Sequence, residues 1–162
     1  MPTRDLRVLT RRFYDEYNKG KEAAMAAIDE FYTADVVFHS GASVDIRGLK
    51  DYKQYRGEFL DAFPDAHATI DDMIVEGNMK ATRLKVTGTH RGEFMGITPT
   101  NRKVTIPMIS FSVRNAVGKV VEEWQMYDSL GFMQQLGVIP KAEKGKYPSP
   151  ILIQMVLVSR HF

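Results

Sequence analysis

The chain has 162 residues, of which 44% are hydrophobic and 26% charged, with a formal net charge of +2 and no cysteine. This length suits one hydrophobic core. The small net charge, spread over intermixed acidic and basic residues, argues against a nucleic-acid partner. Without cysteine there are no disulfides, thiolate nucleophiles or sulfur-ligated zinc sites, so any metal would have to rest on His, Asp and Glu.

We expect neither a targeting signal nor a membrane anchor in the two end segments of this sequence. Residues 1–7 are charged and lead into a helical pattern without the apolar run of a signal peptide, which predicts a cytoplasmic location. The apolar run 151–158 is about half the length that crosses a bilayer as a helix. We therefore expect neither secretion nor a membrane anchor.

Helical patterns dominate the first part of the chain. Apolar residues recur every three to four positions in three segments, 6–17, 21–32 and 49–63. Gly20 lies shortly after the first segment and Pro64 directly after the third, and glycine and proline at such positions terminate helices. A short β-rich run, 35–39, lies between the second and third helices.

From Ala68 onward the apolar period is two, which predicts β-strands. The expected strands span 68–75, 79–90, 104–114 and 119–127. Tight turns at 76–78 and 115–118 and a longer loop at 91–101 make them an antiparallel meander, and one last helix, 129–136, ends at Gly137. Helices followed by such strands define an α+β fold, in which a curled sheet and the helices enclose a ligand cavity.

Three stretches of the chain stand out together: Phe59–Asp65 (FLDAFPD), 88–100 (GTHRGEFMGITPT), and Trp124 with Asp128 and the QLG of 135–137. In these stretches the chain resembles the SnoaL-like polyketide cyclase family. The resemblance covers about residues 3 to 138 and leaves 139–162 as a C-terminal extension. It implies the cone-shaped α+β fold that nuclear transport factor 2, scytalone dehydratase and limonene epoxide hydrolase share.

The resemblance also implies an activity and an assembly. The family's best-known reaction closes a ring in an aromatic polyketide ester by intramolecular aldol condensation, with an aspartate as acid/base and with neither metal nor cofactor. Sheets of this fold often pair face to face, which predicts a homodimer. The apolar run 151–158 would then either cross to the partner or cover its own sheet.

Asp128 stands where the resemblance places the family's catalytic aspartate. It follows a strand in which Trp124 and Met126 share its face, so we expect its carboxylate to look into an apolar cavity that raises its pKa and suits it to proton transfer. The alternative is that Asp128 is the N-cap of the helix that begins near Ser129. From the residues alone the two roles are about evenly matched.

Two histidines are candidates for assisting Asp128. His90 ends a strand before the glycine-containing loop and offers a second acid/base or a hydrogen-bond donor; the alternative is a structural histidine that bonds the loop backbone. His39 closes the first strand, where a cavity-facing and a structural orientation are equally compatible with the pattern.

Arg83 lies inside a strand, so it either faces solvent or meets a carboxylate in the cavity. The Asp-Arg-Asp relay of the related epoxide hydrolases is not supported, since Lys85 and Met126 stand where a carboxylate would be wanted. Asp71 and Asp72 are neighbours in a strand and are expected on opposite faces, both solvated.

The predicted cavity wall consists of large apolar side chains, for which plain core packing is the alternative. With Arg83, the expected substrate-binding residues are Phe59, Phe63, Phe94, Met108, Trp124 and Met126. No phosphate loop, dinucleotide fingerprint or nucleophile elbow is present in the sequence. The sequence predicts a cofactor-free cyclase or isomerase of a polyketide-like small molecule, with a non-catalytic hydrophobic binding protein or a dehydratase or hydrolase of the same fold as alternatives.

Overall fold

The structure is a computed structural model that describes residues 5–41 and 44–140. Its helices are α1 (Leu6–Tyr17), α2 (Lys21–Phe31), α3 (Leu49–Ala62) and α4 (Ser129–Leu136). Its strands are β1 (Tyr32–Ser40), β2 (Val44–Arg47), β3 (His67–Glu76), β4 (Met79–Thr89), β5 (Lys103–Arg114) and β6 (Val120–Tyr127). The apolar run 151–158 and most of the predicted C-terminal extension lie outside the described residues.

Local signals fix the helix ends. The Asp5 side chain caps α1 by accepting a hydrogen bond of 2.9 Å from the backbone N–H of Arg7. Gly137 adopts the left-handed conformation, with φ of 83°, and ends α4 at the residue that the sequence predicts. No described helix is long and apolar enough to span a membrane.

The six strands form one sheet in the order β2-β1-β6-β5-β4-β3. The predicted antiparallel meander of β3 to β6 is confirmed. The sheet as a whole is mixed, because β1 pairs with β6 in parallel. Strand β2 is absent from the sequence prediction, since a segment of four residues is too short to show an alternating period.

The inner face of the sheet divides into an apolar half and a polar half. Along β5, alternate residues are buried, and they change from apolar (Val104, Ile106, Met108) to polar (Ser110, Ser112, Arg114). Residues of β4 and β6 that pair with Ser110 and Ser112 of β5 are polar as well, so the polar half extends across these three strands. Its two rows are Lys80–Ser112–Glu123 and Thr82–Ser110–Gln125.

The outer face of the same strands is apolar and exposed. Ile109 pairs with Met126 and Phe111 with Trp124, and these four side chains are 58%, 60%, 38% and 36% exposed, respectively. Alternation therefore places apolar residues on both faces of β5, so hydrophobicity alone does not distinguish the inside of the cone from the outside.

A register shift in β3 corrects the expectation for Asp71 and Asp72. The strand bulges between Ile70 and Asp72, so the two carboxylates no longer point to opposite faces. Both bind Arg83, whose Nη1 lies 3.2 Å from Asp71 and whose Nε lies 2.9 Å from Asp72. They are exposed, as the sequence predicts.

Candidate active site

A cavity of about 240 Å³ lies between the inner face of the sheet and the helices. Its apolar wall is formed by Phe59, Val86, Phe94, Ile106, Met108 and Phe132. Its polar end is formed by Ser40, Tyr55, Arg56 and Gln125. The apolar wall of the cavity thus lies on the apolar half of the sheet's inner face, and the polar end lies on its polar half.

Stacked aromatic rings build the apolar wall. The Phe59 and Phe63 rings stack with centroids 4.8 Å apart, and Phe94 meets them edge-on at 5.9 and 5.7 Å. Phe63 is fully buried behind this wall and contacts Phe132 of α4 at 5.8 Å. Such a wall suits a flat ring system.

The loop that carries Phe94 is attached to the end of α3. The backbone N–H groups of Arg91 and Gly92 donate to the Ala62 carbonyl at 2.8 and 3.0 Å. A Cβ atom at Gly92 would lie 2.5 Å from the Asp61 carbonyl oxygen, so only glycine allows the loop to approach this closely. Asp65 of the FPD motif fixes the adjacent strand end by accepting 2.7 Å hydrogen bonds from the N–H and hydroxyl of Thr89.

A buried hydrogen-bond network lies at the polar end. The Arg56 Nε donates to the Tyr52 hydroxyl at 2.9 Å, and this hydroxyl lies 3.4 Å from the carboxylate of Glu123. Glu123, which is only 2% exposed, also accepts from the hydroxyls of Tyr32 at 2.8 Å and Ser110 at 2.5 Å. One carboxylate therefore joins α3 to three strands.

The surroundings of Glu123 keep it ionised. Burial raises the pKa of this carboxyl, but the charges of Lys80 and Arg56 and the hydrogen bonds from Ser110 and Tyr32 outweigh burial and lower the pKa overall. Burial lowers the pKa of Lys80 to about 8, against the attraction of Glu123. At neutral pH the lysine is therefore mostly charged beside an ionised carboxylate.

The tyrosines around this network are neutral. Burial, reinforced by the charge of Glu123, raises the pKa of Tyr14 and Tyr32 well above their usual range. Burial also raises the pKa of Tyr52, although Arg56 opposes it. These hydroxyls consequently act as hydrogen-bond donors rather than as phenolates.

The structure places Asp128 at the N-cap of α4. Its Oδ1 accepts a hydrogen bond of 2.8 Å from the backbone N–H of Gly131, and the residue is exposed. Its neighbours Tyr127 and Phe132 line the cavity, whereas Asp128 is not among the described lining residues. The expectation of an apolar environment around this carboxylate is thus wrong, and the capping alternative describes its position.

His90 is fully buried and bonds the loop that follows it. Its Nδ1 accepts from the backbone N–H of Thr100 at 3.2 Å, which assigns the ring proton to Nε2. Burial lowers the pKa of His90, so the ring is neutral at neutral pH. It stacks on Phe63 at 5.2 Å, and Nε2 has no hydrogen-bond partner among the described residues.

His39 lies on the outer face of the sheet. Its two ring nitrogens are each 2.8 Å from a carboxylate, one of Asp45 and one of Glu122, and its ring stacks on Trp124 at 5.0 Å. The hydrogen bonds that the ring donates to these carboxylates, first to Glu122 and then to Asp45, raise the pKa of His39. Its neighbour Ser40 is the one that lines the cavity.

Three predicted substrate-binding residues also lie outside the cavity. Trp124 and Met126 point outward because the inner positions of β6 are the odd-numbered ones, Glu123, Gln125 and Tyr127. Arg83 is exposed and pairs with Asp71 and Asp72. Of the predicted wall, Phe59, Phe94 and Met108 line the cavity, and Phe63 packs directly behind it.

The polar end is what sequence reasoning missed. The sequence alone gives no sign that Glu123, Lys80 and Arg56 are buried, because charged residues are usually exposed and nothing in the neighbouring residues indicates otherwise. The signal that could have found them is alternation, since Glu123 and Gln125 fall on one face of β6 together with Tyr127. Within the part of the chain that the structure describes, no group of His, Asp and Glu residues is arranged to hold a metal ion.

A cone of helices on a curved mixed sheet, with a cavity of small-molecule size, defines the nuclear transport factor 2-like class of fold. The family model of the SnoaL-like polyketide cyclases matches residues 8–136. The chain therefore belongs to this family. A comparison with curated proteins finds no significant match.

Solved structures agree with this assignment. AclR of Streptomyces galilaeus, a proposed hydroxylase, is 26% identical over 85% of this chain and 99% of its own, with a TM-score of 0.74. IdmH of Streptomyces antibioticus, a proposed polyketide cyclase, is 28% identical over 82% and 99%, with a TM-score of 0.69. A proposed SnoaL-like polyketide cyclase of Jannaschia sp. CCS1, 21% identical over 86% and 97%, shows the same fold with a TM-score of 0.76.

Proposed function

We propose that this protein is a cofactor-independent cyclase or isomerase of a hydrophobic, polyketide-like small molecule that binds in the cavity. The observation that carries the proposal is the cavity itself, whose aromatic wall faces an end that holds Arg56 and Gln125, in a chain of the polyketide cyclase family. Rings and alkyl groups of a substrate would contact the wall, and its oxygens would face the polar end.

An aldol-type closure needs a group that removes a proton from an activated methylene and a group that protonates the new alkoxide. We propose Asp128 as the acid/base, supported by its place in the chain between the cavity-lining residues Tyr127 and Phe132. His90, whose Nε2 carries a proton without a partner among the described residues, is the second candidate donor. His39 is excluded from this set because it lies on the opposite face of the sheet.

A second candidate function is non-catalytic binding of the same kind of molecule. The observation in its favour is that the Asp128 carboxylate is exposed and engaged in capping α4. A dehydratase or hydrolase of the same fold would be supported by a pair of histidines. It is less supported here, since the ring that stacks on His90 is that of Phe63 and no second histidine is in ring contact with His90 among the described residues.

The two candidates differ in what Asp128→Asn does. Asparagine is as good an N-cap as aspartate, so the fold is retained while the acid/base group is lost. With an aromatic polyketide ester as substrate, the cyclase proposal expects turnover by the wild type and its loss in Asp128→Asn, with substrate binding kept. Binding without turnover in both proteins would favour the non-catalytic candidate, and unchanged turnover in the variant would remove Asp128 from the mechanism.

We also propose that the protein is a homodimer in which the outer face of the sheet is covered by a second copy. The apolar side chains of Ile109, Phe111, Trp124 and Met126 are contiguous by register and exposed, as interface residues are. Light scattering of the full chain at micromolar concentration is expected to give the dimer mass, and Met126→Glu the monomer mass. A monomeric wild type would contradict the proposal.

A further inference from the structure

Arg56 reaches the cavity with most of its hydrogen-bonding capacity unused. Its Nε donates to the Tyr52 hydroxyl at 2.9 Å, whereas its two terminal nitrogens have no hydrogen-bond partner among the described residues. A guanidinium that is held through Nε presents its other two nitrogens side by side, which is the arrangement that binds both oxygens of a carboxylate.

The position of this guanidinium is fixed from behind. Its central carbon lies 5.2 Å from the ring centroids of both Phe38 and Tyr52, in cation–π contact. Tyr52 in turn contacts Tyr32 and Glu123, so the group that orients Arg56 belongs to the buried network. An arginine held in this way loses little conformational freedom when a ligand binds.

The charges around the polar end are unbalanced. Three cationic side chains, those of Arg56, Lys80 and Arg114, surround one buried carboxylate, that of Glu123, and the neighbouring tyrosines are neutral. Glu123 itself is not among the described residues that line the cavity. The carboxylate among them is Glu58, which is exposed and accepts a hydrogen bond of 3.1 Å from the Gln54 side chain. The polar end of the cavity therefore favours a negatively charged group.

We propose that Arg56 is the anchor for a carboxylate on the ligand, so that the cavity selects a hydrophobic ring compound that carries an acid group. The ring lies against the wall of Phe59, Phe94 and Phe132, and the carboxylate accepts hydrogen bonds from the two terminal nitrogens of Arg56. This inference rests on the proposed function, because it assigns a charge to the molecule that the cavity binds.

The test uses two probes that share a ring system and differ in charge, 2-naphthoate and 2-naphthamide, titrated calorimetrically into the full chain at neutral pH. We expect wild-type protein to bind the naphthoate at least about tenfold more tightly, as a charge-assisted pair in a dry site allows. In Arg56→Gln this preference disappears while naphthamide binding stays. The matched control Arg83→Gln, an exposed arginine outside the cavity, keeps the preference.

The outcomes separate this inference from the proposed function. Equal binding of both probes by the wild type, or a preference that survives in Arg56→Gln, overturns the carboxylate anchor and leaves the cavity as a ligand site. Failure of both probes to bind at millimolar concentration overturns the anchor together with the proposed function. If Arg56→Gln does not fold, Arg56→Lys, which keeps the charge without the fork, is expected to retain a reduced preference, and an undiminished one contradicts bidentate binding.

Discussion

The hydroxyl of Tyr32 donates a hydrogen bond of 2.8 Å to the carboxylate of Glu123, 91 residues further along the chain, and both groups are buried. This contact joins the first residue of β1 to the middle of β6, where the two strands run parallel. It therefore holds the polar end of the cavity in place without the help of a ligand.

Replacing Glu123 by glutamine is expected to destabilise the protein by about 3–5 kcal/mol, because Lys80 and Arg114 then lose the only buried carboxylate near them among the described residues. Urea unfolding followed by circular dichroism measures this change. Glu122→Gln, at the adjacent position on the outer face, is the control and is expected to cost no more than about 1 kcal/mol. Similar losses in the two variants would show that the buried charge is not what matters.

The stability that Lys80 contributes is expected to rise with pH. Its folded pKa of about 8 lies below the unfolded value near 10.5, so between these values the unfolded chain binds more protons and folding becomes more favourable. Relative to Lys80→Met, the wild type should gain about 1–2 kcal/mol in free energy of unfolding between pH 7.5 and 9.5. Ser112→Ala, which removes a buried neighbour that does not titrate, should show no such trend, and a flat difference for Lys80→Met would refute the prediction.

His39 is expected to have the opposite pH dependence. Its pKa is raised in the folded state by the hydrogen bonds to Glu122 and Asp45, so its stabilising effect is complete below the unfolded pKa of about 6.5 and is lost as the pH rises through the folded value. Compared with His39→Gln, the wild type should be more stable by up to about 1 kcal/mol at pH 5.5 and lose that advantage above neutrality. Asp45→Asn should weaken the effect, whereas an advantage that grows with pH would contradict it.

Phe132 is expected to hold α4 against the aromatic wall. Its ring is 2% exposed and contacts Phe63 and Phe94 at 5.8 Å each, so Phe132→Ala removes a fully packed side chain. The expected loss is about 3–5 kcal/mol in the free energy of unfolding. Leu130→Ala, two residues earlier on the same helix and 39% exposed, is the control and should cost much less. A small loss in Phe132→Ala would mean that the wall collapses into the space without penalty.

The sequence predicts the elements well where local signals and period agree. Helix α4 is predicted to the residue because Asp128 caps it and Gly137 ends it. The strands of the meander begin and end within a few residues of the predicted bounds. These features depend on neighbours in the chain, which a single sequence displays.

The face of β6 is where sequence reasoning fails. Trp124 and Met126 are apolar and Glu123 is charged, so hydrophobicity alone predicts that Trp124 and Met126 face the interior. The structure reverses it because Glu123 finds hydroxyl donors on β1 and β5, in Tyr32 and Ser110, that no local pattern reveals. The apolar outer face and the charged interior are each explained only by contacts between distant strands.

The division of the sheet's inner face has a consequence for how this protein can diversify. The aromatic wall of the cavity comes from Phe59, Phe94 and Phe132, in α3, the loop after β4 and α4, whereas the polar end rests on the rows through Glu123 and Gln125. If the proposed function holds, substitutions in the aromatic wall would change the shape of ligand that fits without altering the polar end. Related proteins with this division could then bind different ring systems through changes in the aromatic wall, while the polar end continues to bind the same polar group.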